Sequence, residues 1–474
     1  MSSSSYGRLG YMAIKAESVE NTAVKPNTFI QILKEDVVPK YDVSISMPVA
    51  GNRALNLRGL PNAIAAPSGK VSINVEPKTF GHFLKGAYGN ESVGRYVPTS
   101  AVVGTFQVGE TITGGSSGAT ASVVAISSEG DYILTGAFTG TFTSNETITG
   151  GTSGATATIG VTSSTVYGHQ FNSPQSSLPT FTVEFGYLNE AVRFTGVRFH
   201  DIMVNQKNNI ITADIGMTAQ AEFKHAHCTA IVASGAGSKT ITVDQTTGLV
   251  ATDTIKLFRP STGQFLDFAS NGVKTHTVGS VTSELTFTVT NVQTSIAVGD
   301  LIVLAPQTAS YSVVNEFTWV GGSTLRMSDT SITAALSAAT ESIEDFEVQI
   351  QNEIESRHAA NGANLVNRFP ASNYLKGLKG SGKIKKVYVD MIFLDRLRKN
   401  RPFGLQVVHN GDTIGATTIQ YTLDWRSPKI ILDAFNPIIE EDSLLDQDMP
   451  YTMFYGDTSG YFHKALLVND VSSY

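Results

Sequence analysis

The feature that most limits the fold of this 474-residue chain is an internal repeat at an offset of 313 residues. The segment Ser68, Gly69, Lys70, Val71 recurs as Ser381, Gly382, Lys383, Ile384, and Phe80 and Leu84 recur at the same offset as Phe393 and Leu397. Each copy predicts a turn, a strand and a short amphipathic helix, followed by a pair of alternating strands. We interpret the repeat as two related β domains. The alternative is a chance match, because Ser-Gly-Lys turns are common.

Alternation of apolar and polar residues, which is typical of half-buried strands, runs through much of the sequence. Residues 346–354 alternate up to Ile350, with Glu347, Gln349, Gln351 and Glu353 on or near the opposite face. Further strands are predicted at 181–185, 210–217, 240–243, 285–289 and 418–423, and helices only at 77–88, 332–339 and 391–399. The predicted fold class is therefore mainly β, with a short helix in each of the two repeated domains.

A second, shorter repeat has a period of 36 residues and joins 104–121 to 140–157. Two copies are too few for a solenoid, so they predict a small inserted β module whose Gly-Gly turns join hairpins. The predicted domains are a first β domain at 1–101 and 168–228, an inserted module at 102–167, a second inserted β domain at 229–310, and a second repeated domain at 311–474.

Composition excludes several classes of protein. Charged residues make up 16% of the chain and the net charge is -7, whereas a protein that grips nucleic acid needs a face rich in Lys and Arg. A single cysteine, Cys228, excludes a framework of disulfides within the chain. No secretion signal and no uninterrupted apolar run of 18 residues is present, so we expect synthesis in the cytosol and no membrane span.

Two glycine-rich segments resemble catalytic motifs but lack part of the required chemistry. Residues 377–383 satisfy G-x-x-x-x-G-K, but Ile384 stands where a phosphate-binding loop has the Ser or Thr that holds magnesium, so a basic turn is predicted. Residues 114–118 spell G-x-S-x-G without the helix that follows a nucleophile elbow, so a hairpin turn is predicted.

Two clusters of possible ligands are also incomplete. His225, His227 and Cys228 fall short of a tetrahedral zinc set, and we interpret them as surface or interface residues at a domain junction. Five acids, Glu440, Glu441, Asp442, Asp446 and Asp448, predict a solvated loop at a surface or subunit contact rather than an acid/base pair. We therefore predict no enzyme activity, no metal and no cofactor.

The order of the segments resembles the tail tube proteins of long, flexible-tailed bacteriophages. The similar segments are an N-terminal arm at 6–29, the strand and helix at 70–88, the stretches 181–187, 193–198 and 210–220, and the closing strands at 444–454 and 464–470. The insertions at 102–167 and 229–310 depart from the minimal tube fold. Both would have to point outwards, since material of that size would block the bore.

The resemblance implies tail-tube-type β-sandwich or barrel domains, with strands pairing edge to edge around a hollow ring. Rings of the family contain six such domains, so the ring would have three chains with pseudo-sixfold symmetry, or else six chains. Stacked rings would meet other tail proteins, namely the tape measure, the tail terminator and the tail tip. The protein would belong to the virion tail, after assembly in the host cytoplasm.

The resemblance also implies roles for particular residues. DNA would slide through the bore without specific binding, which favours acidic and uncharged polar lining residues, with Glu347, Gln349, Gln351 and Glu353 as candidates. An outer solvated face is an equal reading of those four residues. Candidate contacts between subunits or rings are Tyr6, Tyr11, Glu440, Glu441, Asp442, Asp446 and Asp448.

Two other classes of function remain open. A virion decoration protein or a β protein that binds glycans or the host surface would use the outer insertions as its active part. A virion hydrolase would need a catalytic Glu or Asp.

Overall fold

The computed structural model of the chain describes residues 10–46, 58–172, 177–235, 237–266, 274–289, 295–328, 332, 336, 343–358, 369–387, 392–434, 436–438 and 446–474. The strands before the first helix are β1 (Tyr11–Ala16), β2 (Thr28–Ile30), β3 (Lys34–Glu35), β4 (Val38–Ser46) and β5 (Arg58–Asn74). Helix α1 (Gly81–Tyr88) follows. Next come β6 (Ser92–Val103), β7 (Thr111–Gly114), β8 (Thr120–Ile126), β9 (Tyr132–Thr135), β10 (Thr147–Gly150), β11 (Thr156–Ile159) and β12 (Tyr167–Phe171).

The middle of the chain continues with β13 (Phe181–Gly186), β14 (Ala191–Lys207), β15 (Ile210–Thr218), β16 (Ala221–Phe223), β17 (His225–His227), β18 (Lys239–Thr242), β19 (Thr254–Arg259), β20 (Gln264–Phe265), β21 (His276–Ser283), β22 (Thr286–Val289) and β23 (Leu301–Leu304). The last part has β24 (Ser323–Ser328), β25 (Asp345–Arg357), β26 (Ser372–Val387), α2 (Ile392–Arg398), β27 (Phe403–Thr413), β28 (Gln420–Leu432), β29 (Asn436–Ile438), β30 (Asp446–Phe454) and β31 (Lys464–Asn469).

The prediction of a mainly β fold is confirmed, and the two helices of the described residues lie inside two of the three predicted ranges. Helix α1 ends at Gly89, whose positive φ of 77° suits glycine and whose N–H bonds to the Lys85 carbonyl. The third predicted helix, at 332–339, lies almost wholly outside the described residues.

The chain contains two β modules with the same strand order. In the first module one sheet runs β1-β13-β14-β16 and the other runs β4-β5-β15-β14. In the second module the corresponding orders are β24-β27-β28-β31 and β25-β26-β30-β28. In both modules one long strand, β14 or β28, crosses from the first sheet into the second. We call β1-β13-β14-β16 and β24-β27-β28-β31 the attachment sheets.

The equivalence extends to the pairing register. Tyr11 of β1 pairs with Gly186 and Thr324 of β24 pairs with Val408, which again gives an offset of 313 between the first strands of the modules. Both modules also have a register shift at the same place, beginning at Phe181 in β13 and at Phe403 in β27. Such shifts mark local bends of the strand, so the two modules bend alike.

The repeated glycine lies in a strand interior, not in the predicted turn. Gly69 is inside β5 and Gly382 is inside β26, each beside the backbone of the neighbouring strand. A Cβ on Gly69 would lie 2.5 Å from the Asp36 carbonyl oxygen, and a Cβ on Gly382 would lie 2.2 Å from the Glu347 carbonyl oxygen. Glycine is therefore repeated because two strands approach closely, and the G-x-x-x-x-G-K segment is part of a strand.

The two modules join through one strand pair. Strand β14 of the first module pairs antiparallel with β25 of the second, with Asp201 opposite Gln351 and Asn205 opposite Glu347. The result is a continuous antiparallel sheet in the order β4-β5-β15-β14-β25-β26-β30-β28, whose apolar side faces a core shared with the attachment sheets. We call the β14–β25 pair the internal seam and this sheet the continuous sheet.

The 36-residue repeat forms a closed six-stranded barrel. Its order is β6-β9-β8-β7-β10-β11, and β11 pairs back to β6. The repeats meet where Thr113 pairs with Thr149, and Ile112 and Ile148 fill a separate core. Closure removes free strand edges, which explains how two short repeats form a stable unit.

Each repeat supplies a glutamate that binds the turn of the other repeat. Glu146 accepts bonds from the Ser117 N–H at 2.9 Å and the Ser117 hydroxyl at 2.7 Å. Glu110 accepts the equivalent pair from Ser153, both at 2.9 Å. Burial opposes the charge of Glu146, but donors from Ser117, Thr143 and Ser116 outweigh it and lower the pKa of this carboxyl to about 2.

The second inserted domain has its own core, in which Ile241, Leu257, Phe287 and Ile302 are buried. Its position relative to the modules differs from that of the barrel. Strand β23 leaves it to pair with β17 of the first module, whereas β12 leaves the barrel to pair with β31 of the second module. Residues 168–171, which the sequence places in the first domain, therefore extend an attachment sheet of the second module.

We predict that Glu146→Gln will weaken the barrel by about 2 kcal/mol, because charge-assisted hydrogen bonds to two serines are lost. Since the pKa of Glu146 is depressed, its contribution is complete above the unfolded pKa of about 4.5 and is lost as the pH falls towards 2. Hydrogen exchange of barrel amides between pH 7 and pH 3 measures both effects. The control is Glu284→Gln at an exposed turn, and equal exchange in both variants would contradict the prediction.

Candidate assembly surfaces

The continuous sheet has two outer edges. Among the described residues, β4 pairs only with β5, and β29 pairs only with β30. Strand β4 contains Pro39, a residue that is tolerated in an edge strand. By the equivalence of the modules, β4 corresponds to β25, which is paired on both sides. One module therefore uses within the chain an edge that the other leaves open.

The candidate lumen residues lie on the polar side of the continuous sheet. Phe346, Val348 and Ile350 of β25 are buried in the shared core, and the intervening residues face the other way. Glu347, Gln349 and Glu353 are partly exposed and Gln351 is exposed. The structure thus places the four predicted residues along one face, which the internal seam extends to Asp201 and Asn205.

This polar face is balanced in charge rather than acidic. Lys70 lies 3.3 Å from Asp201, and Lys383 lies 2.7 Å from Asp448. Lys379 pairs with Glu353. The expectation that only acidic and uncharged polar groups line this side is therefore wrong for these lysines, each of which has a carboxylate partner.

The opposite side of the first module carries a buried arginine. Arg193 of β14 is 1% exposed and donates to Glu184 of β13 at 2.6 Å. It also donates to both oxygens of Asp253 in the second inserted domain, at 2.6 and 2.9 Å. A bidentate guanidinium pair of this kind fixes orientation as well as distance, so it holds the inserted domain in one position.

The second module has a buried arginine in the same place. Arg426 of β28 is 2% exposed and contacts Asp424 and the barrel residues Glu129 and Asp131, with Nη1 3.0 Å from Glu129. Lys464 also pairs with Glu129. Burial opposes the charge of Glu129, but the charges of Lys464 and Arg426 hold the pKa of its carboxyl far below the usual range.

Strand registers show that Arg193 and Arg426 are equivalent. Arg193 pairs with Glu184 and Phe223, and Arg426 pairs with Gln406 and Lys464 at the matching positions of the second module. Each attachment sheet also receives a strand from the domain that its arginine holds, β23 in one case and β12 in the other. Two inserted domains with different folds are thus fixed to the same site on the duplicated module.

The predicted contact residues fall in different environments. Tyr11 is 4% exposed and its hydroxyl donates to Glu184 at 2.6 Å, so it is a packing residue within the chain. Asp446 and Asp448 lie in strand β30, not in the predicted solvated loop. Tyr6, Glu440, Glu441 and Asp442 lie outside the described residues.

The weak catalytic motifs acquire no further chemical partners in the described part of the chain. The Ser116 hydroxyl donates to Glu146 at 3.0 Å within the barrel turn. The His225 and His227 rings lie 5.3 Å apart, while the Cys228 thiol donates to the Ala230 carbonyl at 2.8 Å. Within the described ranges, no group of three or more His, Cys, Asp or Glu is placed to hold a metal ion. Neither described helix is long and apolar enough to cross a membrane.

The sequence interpretation missed both arginines and both barrel glutamates. The glutamates had a visible signal, because Glu110 and Glu146 occupy the same position of the 36-residue repeat. The arginines had a weaker one, an isolated cation between apolar residues such as Val192 and Phe194.

Comparison with known proteins assigns no family, since no protein-family model and no curated protein matches the sequence.

We predict that Arg193→Met and Arg426→Met will each release a different inserted domain. Each change leaves buried carboxylates without their cation, at a cost of about 3–5 kcal/mol. Limited proteolysis should cut 239–304 in Arg193→Met and the barrel in Arg426→Met. The control Lys399→Met removes only the exposed Lys399–Asp395 pair and should change neither pattern. Identical cleavage in both arginine variants would contradict separate attachment.

Proposed function

We propose that this chain is a non-enzymatic subunit of a bacteriophage tail tube, in which three copies form a hollow ring and rings stack into a conduit for DNA. The observation that carries the proposal is the internal seam, where β14 of one module adds β25 of the next module to its sheet. Each module in this proposal is a tail-tube-type β sandwich. The proposed location is the virion tail, after assembly in the host cytoplasm.

The open edges support the ring. Repeating the seam between chains would pair the β28–β29 edge of one copy with β4 of the next, which is strand addition to an exposed sheet edge. Six modules per ring then correspond to three chains, each contributing eight strands to one closed sheet. Twenty-four strands spaced about 4.8 Å apart give a backbone diameter of at least about 37 Å, which leaves a channel after side chains are counted.

The placement of the inserted domains supports the orientation of the ring. Arg193 and Arg426 hold both domains on the faces of the attachment sheets that point away from the shared core. The polar side of the continuous sheet lies on the other side of that core. A bore lined by the polar side therefore leaves the barrel and the second inserted domain outside the tube.

We predict that the purified protein forms rings and hollow tubes in negative-stain electron microscopy. Mass measurement of isolated rings should give three chains of 50.6 kDa, a total of 151.8 kDa. A chain that remains monomeric at every concentration would overturn the proposal, and a monomer that binds glycans would favour the decoration or host-surface alternative. Turnover of a polysaccharide that disappears on changing one Glu or Asp would favour a hydrolase.

The lumen assignment has its own test in a Cys228→Ala background. In monomers, Gln351→Cys and Thr262→Cys should both react with a long polyethylene glycol maleimide, since both positions are exposed. In tubes only Thr262→Cys, on the second inserted domain, should react at the monomer rate. Equal protection of the two positions, or protection of Thr262→Cys alone, would place the polar side elsewhere.

A further inference from the structure

The end of helix α1 is covered by the second module. Ala87 and Tyr88 are fully buried, and the Asn352 side-chain amide donates to the Ala87 carbonyl at 3.0 Å. The Tyr88 hydroxyl hydrogen-bonds to Nδ1 of His463 in the second module. The internal seam therefore consists of a strand pair together with a docked helix end.

The end of helix α2 has no such cover in a single chain. Phe393 and Leu397 take the places of Phe80 and Leu84, so the residues after Arg398 correspond to the end of α1. Lys399 and Arg401 are exposed there, where Ala87 and Tyr88 of α1 are buried. Because α2 belongs to the module with the open β28–β29 edge, its exposed end lies on the side where a second copy would add.

The surface that would cover α2 is found on the first module. Strand registers pair Arg193 with Phe223 and Arg426 with Lys464, so Glu222 takes the place of His463. Val192 likewise takes the place of Trp425, whose ring lies 6.1 Å from that of Phe80. Where the internal seam has Tyr88 and His463, the equivalent positions have Arg401 and Glu222, which are opposite in charge.

We propose that the end of α2 docks on the first module of a second copy of this chain, where Arg401 forms an ion pair with Glu222. The inference rests on the proposed ring and names the residues of its seam between chains. Arg401 and Glu222 belong to different modules, at positions that the internal seam does not bring together. The pair therefore forms only between copies and favours a closed ring over a folded-back monomer. Complementary charge also speeds association and rejects wrong partners.

Charge reversal tests the ion pair in the full-length protein. Arg401→Glu should lower the affinity between chains by about tenfold or more, and the double variant Arg401→Glu with Glu222→Arg should recover most of the loss. The control is Lys274→Glu, an exposed cation on the second inserted domain, which should assemble like the wild type. Analytical ultracentrifugation measures association, and circular dichroism checks that each variant is folded.

A second measurement does not depend on how Glu222→Arg folds. Rings assembled from a mixture of 14N- and 15N-labelled chains are treated with a carbodiimide, which joins an amine to a carboxylate in direct contact. We expect a mixed-isotope peptide that links Lys399 to Glu222. Rings that form without this peptide and with unchanged assembly of Arg401→Glu would overturn the inference and leave the tube proposal standing. Wild-type protein that never forms rings would overturn both.

Discussion

The architecture depends on the register of the internal seam. With Ile202 opposite Ile350 and Val204 opposite Val348, the apolar residues of β14 and β25 enter one core, while Asp201 and Gln351 share the polar side. Because side chains alternate along a strand, a slip of one residue would bring charged groups into the core. The seam register therefore fixes which side of the whole continuous sheet is polar, and with it the side on which the inserted domains are held.

The sequence predicts the duplication only as far as the barrel. The offset of 313 residues links β1 to β24 and β5 to β26, since the first module reaches α1 without a large insertion. After the barrel, the equivalent positions Arg193 and Arg426 are only 233 residues apart. Side chains beyond that point are mostly different, so equivalence is visible only in the pairing register and in the shared shift at Phe181 and Phe403.

Local rules failed where a neighbouring strand determines the conformation. Ser-Gly-Lys is a common turn sequence, yet Gly69 and Gly382 are needed in strands because the carbonyls of Asp36 and Glu347 leave no space for a side chain. The position of Asp448 in a strand has a similar cause, since Lys383 of the adjacent strand pairs with its carboxylate. Periodicity within a segment predicts strands well, but it carries no information about what the next strand brings.

The charge balance of the polar side bears on how a polyanion could move past it. A free lysine in a bore would bind phosphates and release counterions, which would slow sliding. Lys70, Lys379 and Lys383 instead lie beside Asp201, Glu353 and Asp448, so each cation is offset by a carboxylate within the same sheet. The field that reaches the centre of a bore is then that of closely spaced dipoles, which decays faster than that of a single charge. A tube of the proposed kind therefore needs paired charges on this face, not the absence of lysine.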